Sequence, residues 1–118
     1  MKTDNVVKDK SMAFSLRVIK ASRFLTEERN EHILSKQLLR SGTAIGALIR
    51  EAEFAESKKD FVHKLTIALK ETNETEYWLI LLKESDYISS ESFDSIIMDC
   101  RELMKLLISI IKSSKQRD

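Results

Sequence analysis

Apolar residues recur along this chain at three- and four-residue spacing in four stretches, the period of helices that bury one face. Between about Asn5 and Leu25 the stripe is Val7, Phe14, Val18, Ala21 and Leu25. Thr26 to Asn30 interrupts it. A second stretch, about 31–56, carries Leu34, Leu38, Ile45, Leu48, Ala52 and Ala55, with Asn30 placed to accept from the exposed NH groups of its first turn. The run Ser57-Lys-Lys-Asp60 reads as a capping-box variant, with Ser57 as N-cap and Asp60 near the positive end of the next helix. That third helix, about 58–85, is built on Phe61, Leu65, Ala68 and Leu79. Asp86 to Ser90 forms the last turn. The fourth helix, about 91–112, rests on Phe93, Ile97, Cys100, Met104, Leu107 and Ile111, and the basic tail 113–118 is expected to fray. Short connections favour antiparallel neighbours, so the expected fold is all-α. It is a single domain over 1–118, an antiparallel up-down-up-down four-helix bundle with helices of roughly 30–40 Å.

The chain has no proline and two glycines, Gly42 and Gly46, one helical turn apart inside the second stretch. A helix interior loses roughly 0.5–1 kcal/mol per glycine relative to alanine, so the pair needs a structural reason. With Ser41, Thr43, Ala44 and Ala47 around them, the two glycines form a close-packing strip against which another helix backbone can lie.

Composition agrees with a soluble helical protein: 118 residues, 42% hydrophobic and 33% charged, net charge +1. The longest apolar run, Tyr77 to Leu82, is too short to span a bilayer, and residues 1–10 contain no signal-peptide hydrophobic region, so no membrane association is expected. Cys100 is the lone cysteine and cannot form an intrachain disulfide, which fits a cytoplasmic location. Helices three and four carry apolar residues beyond one stripe each: Ile67, Trp78, Leu81 and Leu82 on the third, Leu103, Leu106, Ile108 and Ile110 on the fourth. Such a surplus predicts burial against another subunit, a homo-oligomer.

The run from Gln37 to Glu53, followed by Ser57-Lys-Lys-Asp-Phe61, Ile67-Ala-Leu-Lys-Glu71, Glu74-Thr-Glu-Tyr-Trp-Leu79 and Asp86-Tyr-Ile88, resembles the bacterial four helix bundle protein family. That family includes the 23S rRNA-intervening sequence proteins and the accessory variability determinant proteins of diversity-generating retroelements. The likeness covers about Phe14 to Lys112. It implies a homopentameric barrel, a number that periodicity alone does not choose, and a partner that is RNA or DNA, or a reverse transcriptase.

A hairpin turning near Glu56 and Ser57 sets Arg40 level with Glu74, a turn near Asp86 to Ser89 sets Arg101 level with Glu74, and the pairing of helices one and two sets Arg17 near Arg40. Arg40, Glu74 and Arg101 then read as a structural ion-pair layer that fixes register, with an arginine-built anion site as the weaker alternative. Di-metal chemistry needs two Glu-x-x-His pairs and inward carboxylates. Asp60-Phe-Val-His63 has the spacing, with Glu71 and Glu74 further along, but His32 is preceded at the required position by Arg29. Cys100 lies in an apolar stripe, where a thiol packs as a small hydrophobe. No phosphate-binding glycine loop is present. The expectation is therefore no enzyme, no catalytic residue, no cofactor and no metal.

Nucleic-acid binding would rest on local clustering, because a net charge of +1 gives little global attraction to phosphate. The first thirty residues carry Lys2, Lys8, Lys10, Arg17, Lys20, Arg23 and Arg29 against Asp4, Asp9, Glu27 and Glu28. Candidate contacts to nucleic acid or another partner are Lys10, Arg17, Lys20 and Arg23, joined by Lys58, Lys59 and Lys64 and by the tail cations Lys112, Lys115 and Arg117. Each of these, taken singly, also serves as an ordinary solubilising charge. The function expected is a non-enzymatic oligomeric adaptor or scaffold associated with nucleic acid or a nucleic-acid enzyme. The alternative is a purely protein-binding scaffold.

Overall fold

A computed structural model describes residues 5–116, which form four helices: α1 (Asn5–Glu28), α2 (Leu34–Glu53), α3 (Lys58–Glu84) and α4 (Ser90–Gln116). No strand occurs among the described residues. Lys2, Asp4 and Arg117, counted above among the terminal charges, lie outside the described residues. The helices pack into a bundle of 49 × 20 × 19 Å. Lys8 meets Glu53 and Ser22 meets Ser35, so α1 and α2 run in opposite senses. Arg40 with Glu74 and Lys64 with Glu51 do the same for α2 and α3, and Lys10 with Glu102 and Arg17 with Asp99 for α1 and α4. The contact between α1 and α4 is the smallest of any neighbouring pair.

Local chemistry sets the ends of these elements. α3 starts at a true N-cap: Ser57 is extended (φ −156°, ψ 167°) and its hydroxyl accepts from Asp60 N at 3.0 Å. Asp60 Oδ2 in turn accepts from Glu56 N at 3.2 Å, which holds Glu56 out of α2. α2 therefore closes at Glu53 rather than near Glu56, tightening through Phe54 N to Glu51 O and Ala55 N to Ala52 O. α3 ends in a Schellman motif: Asp86 is left-handed (φ 64°), its NH donates to Lys83 O, and Tyr87 N donates to Leu82 O. α4 continues past Lys112 to Gln116.

The α1–α2 junction differs from the expected one. Asn30 does not cap α2; it takes the left-handed turn that releases α1 (φ 53°), a conformation asparagine tolerates well. Glu31 supplies the cap instead. Its carboxylate accepts from Ser35 N at 2.7 Å, Leu34 N at 3.0 Å and Ile33 N at 3.2 Å, and Ser35 Oγ donates back to Glu31 O at 2.7 Å. Three orphan donors are thus satisfied by one side chain, and α2 begins at Leu34, three residues later than the apolar pattern implied.

The core joins all four helices through Val7, Phe14, Val18 and Leu25, Leu38, Ile45 and Ile49, Phe61, Leu65 and Leu79, and Ile97, Leu103 and Leu107. Leu82 and Leu103, assigned above to surplus apolar surface, are fully or almost fully buried here. A helix flanked by two neighbours buries a wider arc than one stripe. The exposed apolar residues lie mostly elsewhere: Met12, Leu16 and Ile19 stand on α1 at 51, 60 and 36% exposure, though Tyr77 of α3 and Met98 and Ile108 of α4 are also exposed. The two glycines face α1 and are not equivalent. A Cβ at Gly42 would lie 2.7 Å from Val18 Cγ1 and 2.8 Å from Cγ2, whereas at Gly46 the nearest atom is Ser15 Oγ at 3.4 Å.

Two predictions follow from these contacts. Gly42→Ala should destabilise by about 1–3 kcal/mol because the stiff Val18 methyls must move, while Gly46→Ala should be neutral or stabilise by up to about 1 kcal/mol through helix propensity. Thermal melts of the two variants check this; equal shifts would show that the seam does not discriminate them. The second concerns Glu31. Burial pushes its carboxyl up, but the NH groups of Leu34, Ser35 and Ile33 together outweigh that and hold it below its ordinary value. A carboxyl depressed by folding contributes stability above about pH 4.5 that is lost as pH falls through its lowered folded value. Glu31→Ala should cost about 0.5–2 kcal/mol at pH 7 and less below pH 4, read from denaturant midpoints at the two pH values.

Candidate functional site

The cations read from the sequence do not form one surface. Lys10 pairs with Glu102 at 3.0 Å, Arg17 with Asp99 at 2.7 Å, and Lys64 with Glu51 at 3.2 Å, each bridging two helices. Arg17 also donates to Ser95 Oγ at 2.9 Å and Ser95 O at 3.3 Å, so it ties α1 to α4 instead of approaching Arg40. Lys20 and Arg23 are exposed and make no ion pair among the described residues, and the same is true of Lys59 and of the less exposed Lys58. Lys20 and Arg23 lie toward the C-terminal end of α1, beside the α3–α4 turn. Lys58 and Lys59 begin α3, with Lys112 and Lys115 of α4, at the far end of the rod. The two groups are separate patches, so Lys58, Lys59 and Lys64 do not extend the α1 patch within one chain.

Arg40, Glu74 and Arg101 fall into two surface clusters rather than one layer. Arg40 donates to Glu74 and to both oxygens of Glu71, at 3.1 and 3.3 Å, while Trp78 Nε1 donates to Glu74 at 3.1 Å. Glu71, then Glu74, hold the guanidinium still more firmly protonated than usual. Two carboxylates on one arginine leave no anion site there. Arg101 donates to Glu76 at 2.9 Å, not to Glu74, because Glu74 and Glu76 sit on opposite flanks of α3, one toward α2 and the other toward α4. Both arginines are about half exposed, so the pairs set helix register at the surface.

His32 and His63 stand near opposite ends of the bundle, and His32 Nε2 is 2.8 Å from Asn30 Oδ1. Among the described residues no group of three or more His, Cys, Asp or Glu is arranged to hold a metal. Cys100 is fully buried and its thiol lies 3.5 Å from Thr72 O. Burial, then Glu76, push the thiol up to about 12, far from a nucleophile.

What residue patterns missed is a cleft of about 830 Å³ between the second half of α1 and the start of α4. Arg17, Lys20 and Arg29 stand around it, and Leu25, Leu79 and Ile96 back it from the core. Arg29 is fixed across one end: Nη1 donates to Tyr87 O at 2.7 Å and Asp86 O at 3.1 Å, and its guanidinium lies 5.2 Å from the Tyr87 ring centre. The signal was present in the sequence as small residues, Ala21 on α1 with Ser92 and Ser95 on α4, that fall at one level on facing helices.

These features define an all-α helical bundle with no helix, among the described residues, long and apolar enough to cross a membrane. The chain belongs to the 23S rRNA-intervening sequence protein family, whose family model matches residues 3–109. It is similar to a protein of unknown function from the S23 ribosomal protein family of Bacteroides thetaiotaomicron VPI-5482, known from a crystal structure. The two are 59% identical over 92% of this chain and 96% of that one, with a TM-score of 0.91. No curated protein matches the chain.

The buried thiol yields a direct check. Native protein at pH 8 should react with a disulfide reagent orders of magnitude more slowly than the unfolded chain, since the thiolate is the reactive form. Stoichiometric labelling of the folded protein within minutes would place Cys100 in an open, activated environment instead.

Proposed function

We propose that the protein is a non-enzymatic oligomeric adaptor or scaffold of the cytoplasm, one domain with up-down-up-down connectivity, assembled as a homopentamer and associated with nucleic acid or a nucleic-acid enzyme. The observation that carries this reading is the outer face of α1. Met12, Leu16 and Ile19 recur there at helical spacing, exposed, and Arg23 continues the same face one turn on, with Lys20 close by. An apolar stripe of this kind on a polar surface favours protein contact, and unpaired cations beside it favour phosphate. The family's name ties its genes to intervening sequences of 23S ribosomal RNA, and the Bacteroides relative is named for a ribosomal protein family; both support a nucleic-acid setting.

A purely protein-binding scaffold is favoured by a different observation. Lys8, Lys10, Arg17, Arg40, Lys64 and Arg101 are all engaged with carboxylates of the same chain, which withdraws Lys10, Arg17 and Lys64 from the cations expected to reach phosphate. Two measurements separate the readings. Light scattering at low micromolar concentration should give the mass of five chains, and Leu16→Glu should lower it; a folded wild-type monomer would remove the scaffold. Fluorescence anisotropy with single-stranded RNA should show binding that weakens roughly tenfold or more between 50 and 200 mM salt, and that a Lys20→Glu, Arg23→Glu double variant loses. Oligomers that bind no RNA at low salt would establish the protein-scaffold reading.

A further inference from the structure

The cleft between α1 and α4 shares Lys20 with the nucleic-acid reading and is otherwise unused by either, and its chemistry is specific enough to name a ligand. Its volume of about 830 Å³ falls within the roughly 300–1,000 Å³ of small-molecule sites. Its accessible apolar lining is Ala21, Tyr87 and Ile88, half-buried, with Phe24 at the mouth with 44% of its surface exposed; Leu25, Leu79, Leu82 and Ile96 lie buried behind them. An exposed phenylalanine over an aliphatic wall gains free energy when a hydrocarbon covers it.

The polar groups converge on one sign of charge. Arg17 is held in place by Asp99 and Ser95, and its charge is compensated there. Arg29 is anchored by two carbonyls and an aromatic face, so its positive charge has no carboxylate partner among the described residues. Lys20 has no ion-pair partner among the described residues and lines the same cleft. Glu91 is the single carboxylate in the lining, against these two uncompensated cations. The hydroxyls of Ser89, Ser92 and Ser95 add neutral donors along the α4 side. An apolar wall with a cationic rim matches a molecule with a hydrocarbon body and one anionic head. A cation would meet the wrong charge, and a nucleotide would find no glycine-rich phosphate loop.

We propose that the cleft between α1 and α4 is a binding site for a small anionic amphiphile, a medium-chain carboxylate whose tail lies against Phe24 and Ile88 and whose head is received by Lys20 and Arg29. Binding would fill the thinnest seam of the bundle and so brace α1 against α4.

The test uses the full chain with dodecanoate and dodecylammonium, each below its micellar concentration, and dodecanol below its solubility limit, followed by calorimetry and by amide NMR shifts. Dodecanoate should bind at micromolar to low millimolar concentration and move the amides of Ala21, Ser92 and Ser95. Dodecanol should bind more weakly and dodecylammonium not at all. Lys20→Glu, a surface change that leaves the fold intact, should weaken dodecanoate roughly tenfold and leave dodecanol nearly unchanged, the loss expected for one charge-assisted contact. Ala21→Phe should fill the cleft and abolish binding of both. Three results would overturn the proposal: no dodecanoate binding at millimolar concentration, equal binding of the three head groups, or shifts confined to Met12, Leu16 and Ile19 on the outer face of α1. If Ala21→Phe fails to fold, the Lys20→Glu comparison and the shift map decide.

Discussion

The backbone of α2 lies against Val18 of α1 at a point where only glycine fits, and the rest of the bundle is arranged around that approach. A Cβ at position 42 would be 2.7 Å from a Val18 methyl, well inside contact distance. The neighbouring residues on both helices are small as well: Ser11 and Ser15 face Gly46, and Ser22 faces Ser35. Close packing here draws α1 toward α2. α1 packs far less on α4 than on α2, and the open cleft beside Ala21 and Ser92 lies on that looser side.

Small polar residues make this approach possible without orphaned groups. Ser11 Oγ donates to Lys8 O, Thr72 Oγ1 to Ala68 O, and the hydroxyls of Thr75 and Ser41 meet at 2.8 Å between α3 and α2. No buried side-chain nitrogen or oxygen among the described residues lacks a partner. Each hydroxyl is satisfied by its own helix or by the facing one, so the polar content of the interior carries little penalty and adds register between α2 and α3.

Periodicity in the sequence located much of the core because a long helix repeats its buried face every few residues. Phe14, Val18, Leu38, Ile45, Leu65 and Leu107 all sit in it. Periodicity could not say which of two apolar arcs on a helix is covered, which is why Leu82 and Leu103 read as surplus while Met12, Leu16 and Ile19 escaped notice. Hairpin arithmetic has a similar limit. It assigns a height along the bundle but not a direction around the helix, so Arg101 was matched to Glu74 when Glu76, on the flank facing α4, receives it. The cap of α2 was hidden for another reason: Glu31 acts from before the helix as a multiple acceptor, a role that residue type alone does not announce. The cleft, made by the absence of side chains, leaves the faintest trace of all.

Charge is where the fold most changes the reading of the sequence. A net charge of +1 describes a chain in which cations and carboxylates nearly cancel, but the cancellation is local. Lys8, Lys10, Arg17, Arg40, Lys64 and Arg101 are spent on neighbouring helices, where they hold register. Exposed pairs of this kind contribute modestly to stability, yet they withdraw their cations from any phosphate. Attraction to a polyanion must therefore come from cations outside these pairs, among them Lys20 and Arg23 at one end of the rod and Lys58 and Lys59 at the other. Within one copy these two groups are separate patches. Repetition by symmetry would multiply each patch at fixed spacing, so in this protein the capacity to hold nucleic acid and the capacity to assemble are one question, and the apolar face of α1 bears on both.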